Sequence, residues 1–440
     1  MYKPLLLVVA LAGICVEANA DTAPAAEPVQ AVTPAEAAAL SASAEQELRG
    51  NILPFWLKYS RDLERGGFYG TVEDDLTVRK DAPRGALLTS RILWTFSAAY
   101  RRYQDPQYLE MARWAYKDLT SNFLDRKHGG LYWMTSADGR PMDARKLVYV
   151  QSFGIYGLSE YYRATGEQAA LNMAKELYRT VEEHCHDHDK LGYFEEFSPN
   201  WEKMTARGRF VSPMGSLGQK SQNVHLHILE AYTTLYRVWP DEGLRDNLRE
   251  LTLIMLDKIL DPSTMHLHLF LDEDWTPRSD EISFGHDIEF SWLLVEAAET
   301  LGDEALIARA KDVAVKIAVV TNAQGVDADG GVFGEAVPSG VTNFNKEWWP
   351  QAESVVGFMN AYQISGDPAF FADSKRSWDF IGKRLVDHKL GGWFHLVSRD
   401  GQPDGGPKIS FWKCPYHNSR ACMELIDRLK PMLPAGGETE

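Results

Sequence analysis

Six side chains in this sequence have the residue types and spacing for chemistry: Arg91, His227, His286, Glu289, Glu353 and His417. Arg91, Gln151, His227, His286, Glu353 and His417 fall near the start of successive helical patterns, at steps of 60, 76, 59, 67 and 64 residues. Imidazole titrates near neutral pH and can take or return a proton. Arginine is a permanent cation that can face a developing oxyanion. Such a set suits proton transfer through an anionic intermediate. Each histidine alone also reads as a satisfied core residue: His227 shares a helical face with Val224, Ile228, Ala231 and Leu235, and we take His225 as structural. Arg91 shares a face with Leu88, Ile92, Thr95 and Ala99, where an unpaired cation is costly, which favours a functional reading. Three histidines at one phase of a repeat form a stronger signal than any one of them.

The elements that must position these residues come from that repeat. A glycine followed by large apolar residues recurs at Gly66–Tyr69, Gly129–Tyr132, Gly192–Phe194, Gly330–Phe333 and Gly391–Phe394. The steps are 63, 62, 139 and 61 residues, and a degenerate copy at Met265–Leu271 fills the long gap. Between the motifs lie two helical patterns, as in Leu87–Tyr103 with Pro106–Asn122, and Phe153–Ala164 with Glu167–His184. The Gly motif alternates like a short strand or hairpin. Six helix–helix–hairpin units give about 12 helices, and closure of six units predicts an all-α (α/α)6 barrel with short β-hairpins at its mouth. Equivalent helix starts would then converge on one central pit, bringing free N–H groups with them. His286 would open the helix Asp287–Leu301, with Glu289 in reach on the same surface.

Composition fits a soluble globular protein: 45% of residues are hydrophobic and 25% charged, which excludes a disordered or fibrous chain. Length alone suggests about three domains, and the repeat reduces them to one ring. A net charge of −16 argues against nucleic-acid and anionic-membrane partners, since both need a basic surface. Lys3, the apolar run Leu5–Val16 and the small-x-small string Ala18-Asn19-Ala20 read as a signal peptide over residues 1–20. Residues 21–40 read as an Ala/Pro-rich linker, 41–430 as the barrel and 431–440 as a flexible tail. Export would place the protein in the periplasm. Cys185, Cys414 and Cys422 remain after cleavage, an odd number that gives no disulfide framework. His184-Cys185-His186-Asp187-His188-Asp189 has metal-ligand residue types, but its residues are too close in sequence for most to share one ion. Asp327-Ala328-Asp329-Gly330-Gly331 lacks the closing Glu of a calcium loop and reads as a turn.

Five strings carry a resemblance. They are Arg91–Tyr100 (RILWTFSAAY), Asn223–Tyr232 (NVHLHILEAY), Gly285–Glu289 (GHDIE), Trp348–Glu353 (WWPQAE) and Trp412–Asn418 (WKCPYHN). Over about Glu45–Leu429 the chain resembles the N-acylglucosamine 2-epimerase superfamily, and most closely its cellobiose 2-epimerase branch. The resemblance implies the same barrel and no metal or organic cofactor. It implies conversion of the reducing-end glucose of a neutral β-1,4-linked disaccharide, such as cellobiose or lactose, to mannose. A monomer or weak homodimer is expected.

Inverting C2 of an opened aldose requires removing its proton from one face and returning one to the other. The resemblance implies His286 and His417 as the two bases, backed by Glu289 and Glu353 respectively. Arg91 would face the enediolate oxygens, and His227 would assist ring opening or bind the O1/O2 end beside Asn223. Trp349 and Trp412 would hold the sugar rings, and Tyr149 would offer a hydrogen bond. The rival readings are an aldose–ketose isomerase or monosaccharide 2-epimerase of the same superfamily. A glycoside hydrolase using Asp75, Glu195 or Glu196, or a non-catalytic sugar binder, leaves the histidines without a task.

Overall fold

The computed structural model describes residues 31–204 and 219–433. The expected signal peptide, the first part of the expected linker and most of the expected tail lie outside the described residues. The helices run in chain order: α1 (Pro34–Glu47), α2 (Leu53–Tyr59), α3 (Ala86–Tyr103), α4 (Pro106–Asp118), α5 (Val148–Thr165), α6 (Gln168–His184) and α7 (Gln222–Val238). There follow α8 (Glu242–Ile254), α9 (Phe284–Leu301), α10 (Glu304–Gly325), α11 (Trp348–Ser365), α12 (Pro368–Phe380) and α13 (Tyr416–Leu429). A wide turn at Leu48–Ile52 joins α1 to α2 as one rod. No helix among the described residues is long and apolar enough to cross a membrane.

The packing closes a ring. Helix α3 packs on α5, α5 on α7, α7 on α9, α9 on α11, α11 on α13, and α13 back on α3. Each inner helix carries an outer partner: α4 on α3, α6 on α5, α8 on α7, α10 on α9 and α12 on α11. The outer partner of α13 is the N-terminal α1. The ring is therefore closed by joining the first described helix, α1, to α13, and the expected (α/α)6 barrel is the observed fold.

Local sequence explains the corners. Inner helices α3, α5, α9 and α11 end on a left-handed residue: Gln104, Gly166, Gly302 and Gly366. Three of these are followed by an aspartate (Asp105, Asp303 or Asp367) that accepts an N–H from the next helix and starts the outer rod. The inner helices α3, α5, α9, α11 and α13 have no such side-chain cap at their own starts. Their first N–H groups stay at the mouth of the barrel.

At that mouth the Gly motifs form hairpins. In five units a buried basic residue pairs with the aspartate that opens the hairpin: Arg84–Asp62, Lys146–Asp125, Lys220–Asp187, Lys346–Asp327 and Lys408–Asp387, at 2.5–2.9 Å. The fourth unit has Ile282 in place of the base and Met265 in place of the glycine, held at φ 62°. In the standard units a side chain is excluded at the glycine: a Cβ on Gly130 would sit 2.5 Å from Trp201.

One boundary differs from expectation. Helix α1 begins at Pro34, inside the stretch assigned to the linker. Thr33 and Glu36 form a reciprocal capping box, and Pro34 stands at the first helical position. Ala37, Leu40 and Ala44 are buried on the face packed against α13. Alanine has no long apolar side chain to reveal a period, yet it is the best helix former and lets rods approach closely.

Candidate active site

The sequence periodicity and the helix geometry assign different places to the six spaced polar residues. Second and sixth residues of a helix share a face. On α3, α7 and α11 the sixth residue is Arg91, His227 or Glu353; on α5, α7 and α13 the second is Tyr149, Asn223 or His417. All of these but Glu353 line one cavity of about 310 Å³ at the mouth, as do His286, Glu289, Trp349 and Trp412. That volume lies at the small end of the range for small-molecule sites.

Gln151 is the exception. It is the fourth residue of α5 and faces away from the axis. Its amide accepts from Leu131 N–H at 2.7 Å and donates to Leu131 C=O at 3.0 Å, clamping the hairpin. Gln351 does the same to Val332, and Asp287 accepts from Leu267 N–H at 2.9 Å. His225, also a fourth residue, accepts from Tyr193 N–H at 3.0 Å and donates toward Ser221 C=O at 2.7 Å. Burial lowers its pKa to about 3, and its structural reading is the observed one.

His417 directs Nδ1 at Glu353 Oε1, 2.7 Å away, which leaves Nε2 as the nitrogen available to a ligand. The expected His417–Glu353 pair is present. Burial, then the nearby Arg91 and Arg420 cations, hold this imidazole well below the ordinary histidine pKa. His286 is also pushed down, to about 3, by burial and then by His227. The Trp349 ring lies 4.6 Å from the His286 ring and 5.6 Å from the His417 ring, centroid to centroid. Both candidate bases are thus neutral and share one aromatic neighbour.

The expected His286–Glu289 pair is not formed. His286 Nδ1 meets Ser283 Oγ at 2.7 Å instead. Glu289 turns to Arg420, 2.6 Å away, and its Oε1 is 3.9 Å from His417 Nδ1. Sequence distance put the two residues in reach, but the guanidinium is the stronger partner for a buried carboxylate.

Arg420 was not singled out from the sequence, and it organises the floor of the site. Its guanidinium bonds Glu289 and Glu353, at 2.6 and 2.8 Å, and also Glu230. Glu230 in turn bonds His227 Nδ1 at 3.0 Å and the Tyr416 hydroxyl. Burial opposes ionisation of Glu230, but Arg420 and His227 outweigh it and hold its pKa at about 2. Burial and the Glu353 charge push Glu289 well above the carboxylate range, and burial raises Glu353. Glu289, Glu353 and His417 place ligand atoms within 4.8 Å of one another. The Arg420 guanidinium already supplies the positive charge between the two carboxylates. The signal that could have found this cluster is the three-residue spacing in His227/Glu230 and His417/Arg420, one helical turn below the mouth.

Arg91 is the opposite case. It is 2% exposed, donates to the Tyr149 hydroxyl at 2.7 Å and to Cys414 Sγ at 3.6 Å, and lies 4.2 Å over the Phe153 ring. No acidic side chain pairs with it among the described residues. Its Nε, Asn223 Oδ1 and Glu289 Oε2 are buried without a hydrogen-bond partner. A buried cation with no counter-charge stands ready for a negative charge that arises during reaction. His227 meets Tyr149 edge-on at 4.9 Å, and Trp412 lies 6.0 Å from both Tyr149 and Trp133.

The two decoys have their own partners. His186 bonds Glu250 at 2.7 Å and His188 at 2.9 Å, and His184 stacks on Trp201. Asp327 and Asp329 both bind Lys346, at 2.9 and 2.7 Å. Cys185, Cys414 and Cys422 are buried free thiols.

Comparison with known proteins agrees with this geometry. The chain is 42% identical to a cellobiose 2-epimerase of Bacteroides fragilis over 384 residues, which are 87% of this chain and 97% of that protein. It is 39% identical to a cellobiose 2-epimerase of Dictyoglomus turgidum, with the same coverage of both. The solved cellobiose 2-epimerase from Bacillus thermoamylovorans B4167 superposes with a TM-score of 0.84 at 40% identity, over 89% of this chain and 100% of that one. Residues 67–421 match the family described as N-acylglucosamine 2-epimerase (GlcNAc 2-epimerase). With its closed ring of six helix pairs and its histidine-lined mouth, this chain belongs to the N-acylglucosamine 2-epimerase family.

Proposed function

We propose that this protein is a 2-epimerase that converts the reducing-end glucose of β-1,4-linked disaccharides, cellobiose or lactose, to mannose by proton transfer alone. The observation that carries the reading is the pair of neutral imidazoles, His286 and His417, set beside Trp349 in the same cavity as the unpaired cation Arg91. The named activity of the relatives supports it.

The sugar ring opens first, with His227 at the O1/O2 end. The Nε2 of one base takes the C2 proton, and the electron pair moves into an enediolate. Arg91, fixed by Tyr149 and Phe153, faces the charge on O1 and O2. The other base returns a proton to the opposite face of C2. Glu353 holds the His417 tautomer and stabilises its imidazolium once the proton is taken. Ser283 holds His286 in the corresponding way. The Arg420 guanidinium, bonded to both Glu289 and Glu353, offsets their charge beside His417.

Lys3, the Leu5–Val16 run and Ala18-Asn19-Ala20 support export, and with it a periplasmic site for the reaction. The acidic exterior suits a soluble monomer or weak dimer with a neutral ligand. Incubating the purified protein with cellobiose and identifying the products tests the reading. Glucosyl-mannose is the expected product; glucosyl-fructose alone would make the protein an isomerase, and free glucose would make it a hydrolase.

A further inference from the structure

Glu347 and His395 line the same cavity as the two bases, but the proton-transfer scheme gives them no task. Both belong to the rim. Glu347 is the residue before α11, in a strand pair where Lys346 and Glu347 face Val397 and Leu396. Trp348 N–H donates to His395 C=O at 3.1 Å, so the two side chains are held by one short sheet above Trp349.

Each has one polar atom engaged and one to spare. Glu347 Oε2 accepts from Trp349 Nε1 at 2.9 Å, which leaves Oε1. His395 Nδ1 meets Asp404 Oδ2 at 3.3 Å, which leaves Nε2. The repeat shows that this rim is a departure from pattern. The residue before the inner helix is Gly85, Leu147, Ser221, Ser283 or Pro415 in the other units. Only the fifth unit has a carboxylate there.

Resting on the proposed disaccharide activity, we infer that Glu347 and His395 bind hydroxyls of the second sugar ring and so set a preference for disaccharides over monosaccharides. The reacting ring occupies the floor between His286, His417 and Arg91. A pyranose linked to it through O4 must leave that floor toward the rim, where Glu347 offers an acceptor and His395 a donor or acceptor. Trp349 connects the two levels: its ring lies beside the bases and its indole N–H is tied to Glu347.

The test compares wild type with Glu347→Gln and His395→Ala. Glu347→Gln keeps an acceptor for Trp349 while removing the charge. With cellobiose, KM should rise about tenfold in each variant while kcat stays within twofold, the signature of lost binding remote from the reacting atoms. Wash-in of solvent deuterium at C2 of glucose, which has no second ring, should proceed at the wild-type rate. Unchanged KM for cellobiose in both variants would overturn the inference. So would an equal loss on cellobiose and glucose, which would mean that the rim supports Trp349 and the bases instead. A wild-type protein that does not epimerise cellobiose would remove the disaccharide reading itself, a result distinct from either. Circular dichroism and thermal melting of both variants, with His395→Asn in reserve, separate binding loss from misfolding.

Discussion

His225 and His227 stand two residues apart on α7, both buried, and differ in what their nitrogens face. Both nitrogens of His225 are taken by backbone groups, Tyr193 N–H and Ser221 C=O. One nitrogen of His227 is held by Glu230, and the side chain lines the cavity. The same contrast separates Gln151 and Gln351, whose amides are used on hairpins, from Arg91, whose guanidinium has no counter-charge. The fourth residues of α5, α7, α9 and α11 hold the hairpins, whereas second and sixth residues such as Tyr149, Asn223, Arg91 and His227 line the cavity, joined there by His286, the third residue of α9. A buried polar side chain at this mouth is functional when part of its hydrogen-bonding capacity is still open, and structural when it is spent.

The largest expected effect breaks the functional set. His417→Ala and His286→Ala should each lower kcat on cellobiose by about 10²–10⁴-fold, the range for losing a positioned proton-transfer group. Melting temperatures should stay close to wild type, because each variant loses one side-chain hydrogen bond and ring contacts confined to the edge of the cavity. Activity near wild type in either variant would remove that residue from the scheme. A smaller effect, of opposite kind, breaks the structural set. Gln351→Ala strands the Val332 N–H and C=O in the core and should cost about 1–3 kcal/mol in denaturant unfolding. KM and kcat of the folded fraction should hardly move. A large fall in kcat at unchanged stability would blur the contrast.

The last effect is read as a slope against pH. The folded pKa of His225 is about 3, below its unfolded value near 6.5. Between those values the unfolded chain binds the proton and the folded one does not, so stability rises with pH across that window and is flat for this group above it. His225→Gln should reduce the slope of unfolding free energy between pH 3 and 6.5 by up to about 1.4 kcal/mol per unit. An unchanged slope would show that this histidine is not buried and neutral.

Much of the architecture was legible. Glycines at left-handed turns recur at steps of 61–63 residues, with one double step of 139, and the helical patterns between them gave the number of rods before any packing was known. Closure through α1 was not legible, because Ala37, Ala44 and their neighbours give an apolar face with little periodic contrast. At the site, residue type and repeat phase found Arg91, His227, His286, Glu353 and His417. Phase to within a few residues was too coarse to separate Gln151, which turns outward, from Tyr149 two positions earlier, which turns in. Arg420 and Glu230 lie a turn below the mouth, where nothing in their own spacing marks them. Only their offset of three from His417 and His227 does. The Glu289 assignment failed for a related reason. Sequence proximity to His286 was visible, and the competing guanidinium from α13 was not.

The central claim is that two neutral bases exchange the C2 proton through an enediolate. Epimerisation of cellobiose in heavy water, followed by mass spectrometry or NMR of the product, tests it most directly. The account predicts one solvent deuterium at C2 of each newly formed mannose residue in wild type, with that product forming about 10²–10⁴-fold more slowly in His286→Ala and His417→Ala. Mannose product without deuterium at C2 would contradict it.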